Sequence, residues 1–230
     1  MELNQRQKDI LHWVNEKQRV TVTFLAKTLF FSEMTIRRDL SKLEAAGHLK
    51  RYHGGAIALT PSEQYPLELR IHINEQEKRL VAKKAEKHLA DRQTILLPGN
   101  STSVYLLPLL KNYKDLHIVT DSVLFLTTLS EMNIKCTICG GEYYAADKIL
   151  TGHAAESFFY SMNYDIAFLG CDGVEEDGTV SVLRKDSAAL YRIGFRNAKK
   201  KIIIADHSKR GMRSVYNVCN TADADEVIVI

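Results

Sequence analysis

Apolar residues in the first fifty positions recur at the three- and four-residue spacing of a helix with one buried face. The spacing predicts a first helix after Asn4, a second at 24–30 capped by Thr23, and a third between Ser32 and Gly47. Ser32 is a suitable N-cap, because its hydroxyl oxygen can accept a hydrogen bond from a free N–H group of the first turn. Only a few residues separate the second and third helices, so they must cross sharply, as in a helix-turn-helix.

The third helix has an apolar stripe on one face and polar groups on the other. Ile36, Leu40 and Leu43 form the stripe. At roughly 100° per residue, basic and hydroxyl side chains point away from it, which suits binding in the major groove of DNA. The residues that we expect to contact DNA from this helix are Ser32, Met34, Thr35, Arg37, Arg38, Ser41 and Lys42. The alternative is a solvent-exposed face on an ordinary helical hairpin.

A basic hairpin is predicted after the third helix. Positions 48–53 predict a strand, Gly54-Gly55 a turn and 56–59 the returning strand. Such a hairpin is a wing, which favours DNA binding because it contacts phosphate groups beside the groove. The wing residues that we expect to make these contacts are Lys50, Arg51 and His53. With a short strand at 19–22, these elements predict an α+β winged helix-turn-helix domain at residues 1–59.

The remainder of the chain shows short, nearly continuous apolar runs that alternate with segments of helical spacing. The runs predict six strands, at 94–97, 116–120, 134–139, 165–170, 201–205 and 226–230. Helices are predicted at 74–90 (with Leu80, Ala85 and Leu89 on its buried face), 101–110, 122–132, 153–162 and 186–200. This alternation is typical of a mostly parallel sheet covered on both faces. We therefore predict an α/β domain at 74–230 and a linker at 60–73, which holds two of the four prolines.

The loops at the carboxyl ends of these strands are the expected ligand site, as in other sheets of this kind. Loop 98–103, PGNSTS, offers small residues, hydroxyl groups and backbone N–H groups at a helix start, which suits a phosphate. The alternative is a turn that only caps the helix. The other loops add carboxylates, glycines and a lysine, which suit the hydroxyl groups and phosphate of a phosphorylated sugar. The candidate effector-binding residues are Asn100, Ser101, Thr102, Ser103, Asp121, Gly140, Gly141, Asp172 and Lys209.

Net charge is unevenly distributed along the 230 residues. Residues 1–60 hold 10 Lys and Arg against 6 Asp and Glu, a net charge of +4, whereas residues 61–230 hold 21 against 22, a net charge of −1. A basic first quarter indicates a polyanionic partner. No apolar run approaches the ~20 residues that span a bilayer, and the N-terminal segment MELNQRQKD lacks the apolar core of a secretory signal. We expect a cytoplasmic protein with no membrane partner.

The four cysteines do not form a recognisable metal site. Cys136 and Cys139 lie three apart in a predicted strand, so their side chains face opposite sides, and no second C-x-x-C completes a zinc quartet. We predict buried, reduced thiols and no metal. The alternative is redox sensing through Cys139 or Cys171.

The segment Ser32–Ala56, SEMTIRRDLSKLEAAGHLKRYHGGA, resembles the N-terminal signature of the DeoR family of bacterial transcriptional regulators. The resemblance continues through Glu77-Lys78, YDIAFLG and ADHSKRG, and CDGVEEDG and IIIADHSK are similar to ribose-5-phosphate isomerase, whose fold the family's sensor domain shares. It implies an oligomeric repressor of carbohydrate-metabolism genes that binds a double-stranded DNA operator. It also implies a sugar phosphate as regulatory ligand, with no other cofactor. By motif position, it assigns Ser32, Thr35, Arg37 and Arg38 to the DNA-contacting helix, Asn100, Ser101 and Thr102 to the phosphate loop, and Lys209 to the opposite side of the pocket.

Three positions depart from the family pattern, which usually has Asp, Gly and Asn where this chain has Pro98, Asn100 and Asp121. Asp121 would place a carboxylate near an anion site.

A second alternative is that the C-terminal domain retains aldose–ketose isomerase activity. The carboxylates considered for acid–base catalysis are Asp172, Glu175 and Asp186.

Overall fold

The computed structural model describes residues 3–58 and 66–230, which fall into two units that divide between Ile73 and Asn74. The helices of the first unit are α1 (Gln5–Lys17), α2 (Val22–Leu29), α3 (Glu33–Ala45) and α4 (Leu67–His72). Its strands β1 (Arg19–Thr21), β2 (Lys50–Tyr52) and β3 (Gly55–Ile57) form an antiparallel sheet in the order β1-β3-β2. This is the predicted winged helix-turn-helix.

Side-chain caps begin the first three helices. Asn4 and Gln7 form a reciprocal capping box at α1, and Ser32 Oγ accepts from Thr35 N at 3.2 Å as predicted. The prediction that Thr23 caps α2 is wrong. Thr21 Oγ1 accepts from Phe24 N at 3.0 Å, and α2 therefore begins two residues earlier than expected.

The first unit encloses its own apolar core. The predicted stripe of Ile36, Leu40 and Leu43 is fully buried against Ile10 and Leu25 of the first two helices. The wing sheet adds buried side chains to the same core, so one hydrophobic cluster holds the helices and the wing together.

The wing turns one residue earlier than expected. His53 and Gly54 form the turn, whereas Gly55 pairs with Tyr52 inside the sheet. Gly54 has a φ of +98°, the left-handed region that favours glycine. The predicted end of the returning strand at residue 59 lies outside the described residues.

The predicted linker at 60–73 contains helix α4 in its second half. Leu67 and Leu69 are buried, and Leu69 belongs to the core of the first unit. The helix is one and a half turns long, too short for an apolar period to be visible in the sequence. Residues 60–65 lie outside the described residues.

The second unit is built on a parallel sheet. Within residues 66–230, β4 (Thr94–Leu96), β5 (His117–Thr120), β6 (Lys135–Ile138), β9 (Tyr164–Leu169), β12 (Ala198–Ala205) and β14 (Glu226–Val229) pair in the order β14-β12-β9-β4-β5-β6. Every pairing in this sheet is parallel, which confirms the predicted α/β sheet. Its helices are α5 (Glu75–Ala85), α6 (Leu107–Leu110), α7 (Val123–Glu131), α8 (His153–Tyr160) and α9 (Lys185–Asn197).

Two smaller sheets of the second unit were not predicted. Strands β7 (Glu142–Tyr144) and β8 (Ile149–Thr151) form a hairpin, and β10 (Gly173–Val174), β11 (Thr179–Val182) and β13 (Tyr216–Asn220) form an antiparallel sheet. The helix predicted at 101–110 is instead a 3-10 turn at Ser103–Tyr105 followed by the single turn α6. Pro108, near the start of α6, cannot donate a hydrogen bond to a longer helix.

The predicted buried face of the helix at 74–90 is wrong in one position. Leu80 is 55% exposed, whereas Lys78, Val81, Ala82 and Ala85 are buried. The α-helix ends at Ala85 and a 3-10 turn follows, so Leu89 is not on the same helical face. Among the described residues, no helix combines the length and apolarity needed to cross a membrane.

Candidate nucleic-acid interface and ligand site

Helix α3 presents the side chains predicted to contact DNA. Met34, Arg37, Arg38, Ser41 and Lys42 are exposed, and Thr35 is half-buried. The side chains of Arg38 and Lys42 make no hydrogen bond or ion pair with any described residue. Two cations that lack a protein partner remain available to an external anion.

A partly buried ion pair fixes α3 against α1. Asp39 is 1% exposed and accepts from Arg6 Nε and, at 3.4 Å, from Gln7 Nε2. Arg6 also lies over the ring of Phe31, with 4.7 Å between the guanidinium carbon and the ring centroid. Because α1 holds the rear of α3, the exposed face of α3 has a defined orientation in its unit.

The first turn of α3 is tied to α2. Thr23 Oγ1 donates to Glu33 Oε1 at 2.6 Å, and Arg37 Nη2 donates to Glu33 Oε2 at 3.3 Å. The Thr23 hydrogen bond and then Arg37 lower the pKa of Glu33. Arg37 is thus partly neutralised by Glu33, in contrast to Arg38.

The wing is attached to α3 by Arg51. Its backbone N–H donates to Glu44 Oε1 at 2.8 Å, and its Nη1 donates to Ser41 Oγ at 2.5 Å. Ser41 Oγ in turn donates to Arg37 O at 2.9 Å. Ser41 and Arg51, both predicted to contact DNA, therefore also connect the wing to the helix. Lys50 and His53 are exposed on the wing.

The predicted ligand residues lie in a row along the carboxyl edge of the parallel sheet. In sheet order, Lys209 follows β12, Asp172 follows β9, loop 98–103 follows β4, Asp121 follows β5 and Gly140-Gly141 follow β6. Five strands about 4.8 Å apart span roughly 19 Å, which exceeds the length of one sugar phosphate. The geometry therefore favours the β12, β9 and β4 end of the row as one site.

The strand order reverses between β4 and β9, which is where such sheets bind ligands. The loops after these two strands are in contact, since a Cβ atom on Gly170 would lie 2.7 Å from Asn100 Cγ. Glycine at position 170 thus allows the side chain of Asn100 to lie over the end of β9.

Asn100 organises loop 98–103. Its Oδ1 accepts from Thr102 N at 3.0 Å and Ser103 N at 2.9 Å, and its Nδ2 donates to Ser103 Oγ at 2.7 Å. Both polar atoms of the side-chain amide therefore shape the loop. The backbone N–H groups of Asn100 and Ser101 have no acceptor among the described residues. Thr102 and Ser103 are buried.

Asp121 supports the same loop from the neighbouring strand. Its Oδ1 accepts from Gly99 N at 2.6 Å, and the residue is 3% exposed. Burial raises the pKa of Asp121 to about 6, although the hydrogen bond from Gly99 opposes the shift. The carboxylate thus bonds to the loop backbone.

Lys209 is half-buried and makes no hydrogen bond or ion pair through its ammonium group with any described residue. Its charge acts on Asp206 and on Cys171, which places it beside the ends of β12 and β9. Asp172, in the same region, accepts from Leu183 N at 2.8 Å. Lys209 is therefore a cation available to a bound anion.

A buried ion pair that was not predicted supports the Lys209 loop. Lys78 Nζ lies 3.7 Å from Asp206 Oδ2, and both side chains are 3% exposed. Asp206 Oδ1 also accepts from Asn74 Nδ2 at 2.9 Å. Burial opposes the charge on Asp206, but Lys78, Lys209 and the hydrogen bonds outweigh burial and lower its pKa. The only sequence signal for Lys78 was its place in the Glu77-Lys78 pair of the family resemblance.

Gly140 and Gly141 lie at the far end of the row. Gly141 has a φ of +133°, and a Cβ atom there would lie 2.2 Å from Thr151 O. This glycine is needed where β6 leads into the β7–β8 hairpin. Beside Asp121, a small pocket is also lined by Glu156 and Asp186, whose carboxylates disfavour a phosphate.

Three side chains bring possible metal ligands within 4.8 Å of one another, namely Glu77, Asp206 and His207. Glu77 Oε2 already accepts from the backbone of His207 and lies 2.6 Å from its Nδ1. The ammonium group of Lys78 lies on Asp206. This arrangement favours an ion-pair network.

The carboxylates considered for catalysis are held by other groups. Asp172 accepts from the backbone of Leu183, Glu175 Oε1 lies 3.7 Å from Arg213 Nε, and Asp186 Oδ2 accepts from Arg184 at 2.8 Å. No common substrate position follows from these contacts.

The four cysteines are free thiols. Burial raises the pKa of Cys139 and of Cys171 to about 12. Because the thiolate is the reactive form, these thiols are poorly suited to sensing oxidants.

Family profiles match both units of the chain. The DeoR C terminal sensor domain matches residues 73–229, and the DeoR-like helix-turn-helix domain matches residues 6–62. The L-fucose operon activator of Haemophilus influenzae is 31% identical over 98% of this chain and 91% of its own length. The glycerol-3-phosphate regulon repressor of Escherichia coli is 26% identical over 99% of this chain and 90% of its own.

The HTH-type transcriptional regulator GolR of Listeria innocua is 28% identical, over 97% of this chain and 89% of its own length. Among solved structures, a D-ribose-5-phosphate isomerase in complex with phospho-erythronic acid aligns with 59% of this chain and 54% of that chain, with a TM-score of 0.45 and 21% identity. The full-length relatives are transcriptional regulators by name, so the isomerase alternative is not retained. The resemblance inferred from the sequence is confirmed: the protein belongs to the DeoR family of DNA-binding transcriptional regulators.

Proposed function

We propose that this regulator represses carbohydrate-metabolism genes and that a phosphorylated sugar controls its binding to DNA. In this proposal residues 1–59 bind an operator and residues 74–230 bind the sugar phosphate. Relatives named for an L-fucose operon and a glycerol-3-phosphate regulon support the choice of ligand class. One of them is an activator and the other a repressor, so the direction of control needs its own measurement.

The exposed, unpartnered cations of α3 carry the DNA-binding part of the proposal. Arg38 and Lys42 lie opposite the buried stripe of α3, on the face that a recognition helix presents to the major groove. Arg38 contacts a base edge, and Lys42, Lys50 and His53 contact phosphate groups. In the complex, Ser41 and Arg51 either give up the hydrogen bond between them for hydrogen bonds to DNA or keep it while also contacting DNA.

The test is binding of a duplex selected from a random-sequence pool, compared with a scrambled duplex at fixed salt. If Arg38 contacts a base in a bidentate manner, Arg38→Ala should weaken binding of the selected duplex by about 1–3 kcal/mol. Arg196→Ala, at an exposed arginine of α9, is the matched control and should have no effect. Equal affinity of the unmodified protein for both duplexes would refute sequence-specific binding.

Lys209 and loop 98–103 carry the ligand-binding part. The unpartnered ammonium group of Lys209 and the free N–H groups of Asn100 and Ser101 together supply the donors that a phosphate needs. Lys209 follows β12 and the loop follows β4, with one strand between them, so about 10 Å separates the two strand ends. A phosphorylated sugar is long enough to contact both.

A thermal-shift screen of phosphorylated sugars tests this part. A ligand at 100 times its dissociation constant stabilises the folded state by about 2.7 kcal/mol. Lys209→Ala should abolish the shift, whereas Lys111→Ala, at an exposed lysine after α6, should retain it. The proposed ligand site is wrong if a phosphorylated sugar raises the unfolding temperature of Lys209→Ala as much as that of the unmodified protein.

We also propose that the protein binds an inverted-repeat operator as a homo-oligomer. Two-fold symmetry in the DNA matches two-fold symmetry in a protein dimer, and half-sites about one helical turn apart then bind one recognition helix each. Footprinting on the selected duplex tests the proposal, because a monomer would protect a single half-site.

A further inference from the structure

Phe30 has an unusual conformation and an unusual exposure. It ends α2 with φ 58° and ψ 40°, in the left-handed region, where glycine or asparagine normally stands at a helix C-terminus. Its side chain is 92% exposed. The chain thus keeps a bulky aromatic residue in a strained position, although the ring contributes almost nothing to the core.

A second exposed apolar side chain lies four residues further along the chain. Met34, in the first turn of α3, is 78% exposed. The cap residue Ser32 lies between Phe30 and Met34, so both side chains flank the N-terminus of the recognition helix. Arg37 and Arg38 follow on the same exposed helix, so the apolar pair lies within a cationic surface.

Phe31 differs from these two residues. It is 42% exposed, and the guanidinium group of Arg6 covers its ring at 4.7 Å. Phe31 therefore has a partner in its own unit, whereas the ring of Phe30 makes no ring or cation contact with any described residue.

The geometry points to a thymine methyl group as the partner of Phe30 and Met34, and we propose that these two residues read it in the major groove. The proposal rests on the DNA binding argued above. The N-terminal residues of a recognition helix contact base edges, and the C5-methyl of thymine is the apolar group that the major groove presents. The cationic side chains on the same helix favour a polyanion that carries such methyl groups over an apolar protein surface.

Uracil substitution tests the inference directly, because it removes the methyl group and leaves every hydrogen-bonding group in place. In the selected duplex, each thymine is replaced in turn by uracil. For the unmodified protein, at least one replacement should weaken binding by roughly fourfold, which corresponds to the free energy gained when one methyl group is buried.

Two variants assign that loss to the proposed residues. Phe30→Asn keeps a residue that tolerates the left-handed region, and Met34→Ala keeps a good helix former. Each should bind the thymine duplex more weakly and become less sensitive to uracil at that position. Leu80→Ala, at a 55% exposed leucine of α5, is the matched control and should behave as the unmodified protein.

The outcomes separate this inference from the proposed function. A protein that does not distinguish selected from scrambled DNA refutes both. A protein that distinguishes them, yet tolerates uracil at every position, refutes only the thymine contact. A change of oligomeric state in Phe30→Asn with unaltered uracil sensitivity also refutes it, since the aromatic residue would then contact another copy of the chain.

Discussion

Asp39 is a buried charged residue whose loss should destabilise the DNA-binding unit. It is 1% exposed, and its carboxylate pairs with Arg6 and Gln7 of α1. Asp39→Asn leaves Arg6 without its counter-charge, and because the Arg6 side chain is 23% exposed, solvent compensates part of the loss. We therefore expect a cost of about 1–3 kcal/mol, below that of a fully buried pair. Urea unfolding followed by fluorescence of Trp13, the single tryptophan, measures this cost, because Trp13 packs on Phe24 in the same unit.

A surface carboxylate of α1 provides the control for Asp39. Asp9 is half-buried, and its hydrogen bond from Gln5 Nε2, at 2.9 Å, is exposed to solvent. Asp9→Asn should change the free energy of unfolding by no more than about 0.5 kcal/mol. Equal effects of the two substitutions would show that the Asp39 pair does not hold α3 to α1.

Asp121 should make the second unit less stable as the pH rises. Burial raises the pKa of Asp121 to about 6 in the folded state, against about 3.9 in the unfolded chain. The folded state therefore binds more protons between these values, and stability falls as the pH rises from about 4 to 6 before levelling. Asp121→Asn removes the charge and keeps an acceptor for Gly99 N, so it should stabilise the protein at pH 7.

The pKa shift of Asp121 corresponds to a loss of at most about 3 kcal/mol in the free energy of unfolding at pH 7. The extra stability of Asp121→Asn should therefore shrink as the pH falls towards 4. Denaturant unfolding followed by far-ultraviolet circular dichroism at several pH values measures it. Asp115→Asn, at a carboxylate in an exposed loop, is the control. A constant difference across this pH range would mean that Asp121 is not the titrating group.

At the level of elements, the wing depends on Gly55 in β3. A Cβ atom at this position would lie 2.1 Å from Val20 O and 2.5 Å from the hydroxyl oxygen of Tyr52. Gly55→Ala should therefore separate β3 from β1 and destabilise the first unit by about 1–3 kcal/mol, the usual cost of overpacking. Binding of the selected duplex should weaken with it, since the wing carries Lys50, Arg51 and His53.

Gly140 offers the matched control for Gly55. A Cβ atom there would meet nothing within 4 Å, and its φ lies outside the left-handed region. Gly140→Ala should leave the thermal unfolding temperature within a degree or two. A Gly55→Ala protein as stable as Gly140→Ala would contradict the close approach of β3 to β1.

The elements that sequence patterns predicted are those with a long local signal. The six parallel strands are nearly continuous apolar runs, and α3 has both a cap and a stripe. The antiparallel sheet β10-β11-β13 was missed because β10 is only two residues long and β13 pairs with β11 across the intervening α9 and β12. The exposure of Leu80 was missed because the buried face of α5 includes a lysine, Lys78, whose charge is paired with Asp206 across the fold.

The same distinction holds within the candidate site. Loop 98–103 and Lys209 were identifiable because each directly follows a strand. The hydrogen bond from Gly99 to Asp121 and the contact of Asn100 with Gly170 were not, since they depend on β4 lying between β5 and β9. Strand order is a non-local property, and the alternation of strands and helices leaves it open.

At the scale of the whole molecule, positive charge and ligand chemistry lie in different units. Residues 1–60 carry a net charge of +4 and residues 61–230 a net charge of −1. The second unit therefore adds little electrostatic attraction to DNA, and any influence on the operator requires a coupling free energy between the two sites. Such coupling is reciprocal, so DNA must change the affinity for the sugar phosphate by the same factor.

The affinities for DNA and for the sugar phosphate should consequently depend on different residues, although the two binding events are coupled in the unmodified protein. Lys209→Ala should leave DNA affinity unchanged when no sugar is present, and Arg38→Ala should leave sugar affinity unchanged when no DNA is present. In the unmodified protein, the sugar phosphate that gives the largest thermal shift should change operator affinity by about 5- to 150-fold, the usual range of allosteric coupling. Titrations of each ligand with and without the other measure both factors. A sugar that binds tightly but leaves operator affinity unchanged would show that the second unit does not control the first through this ligand.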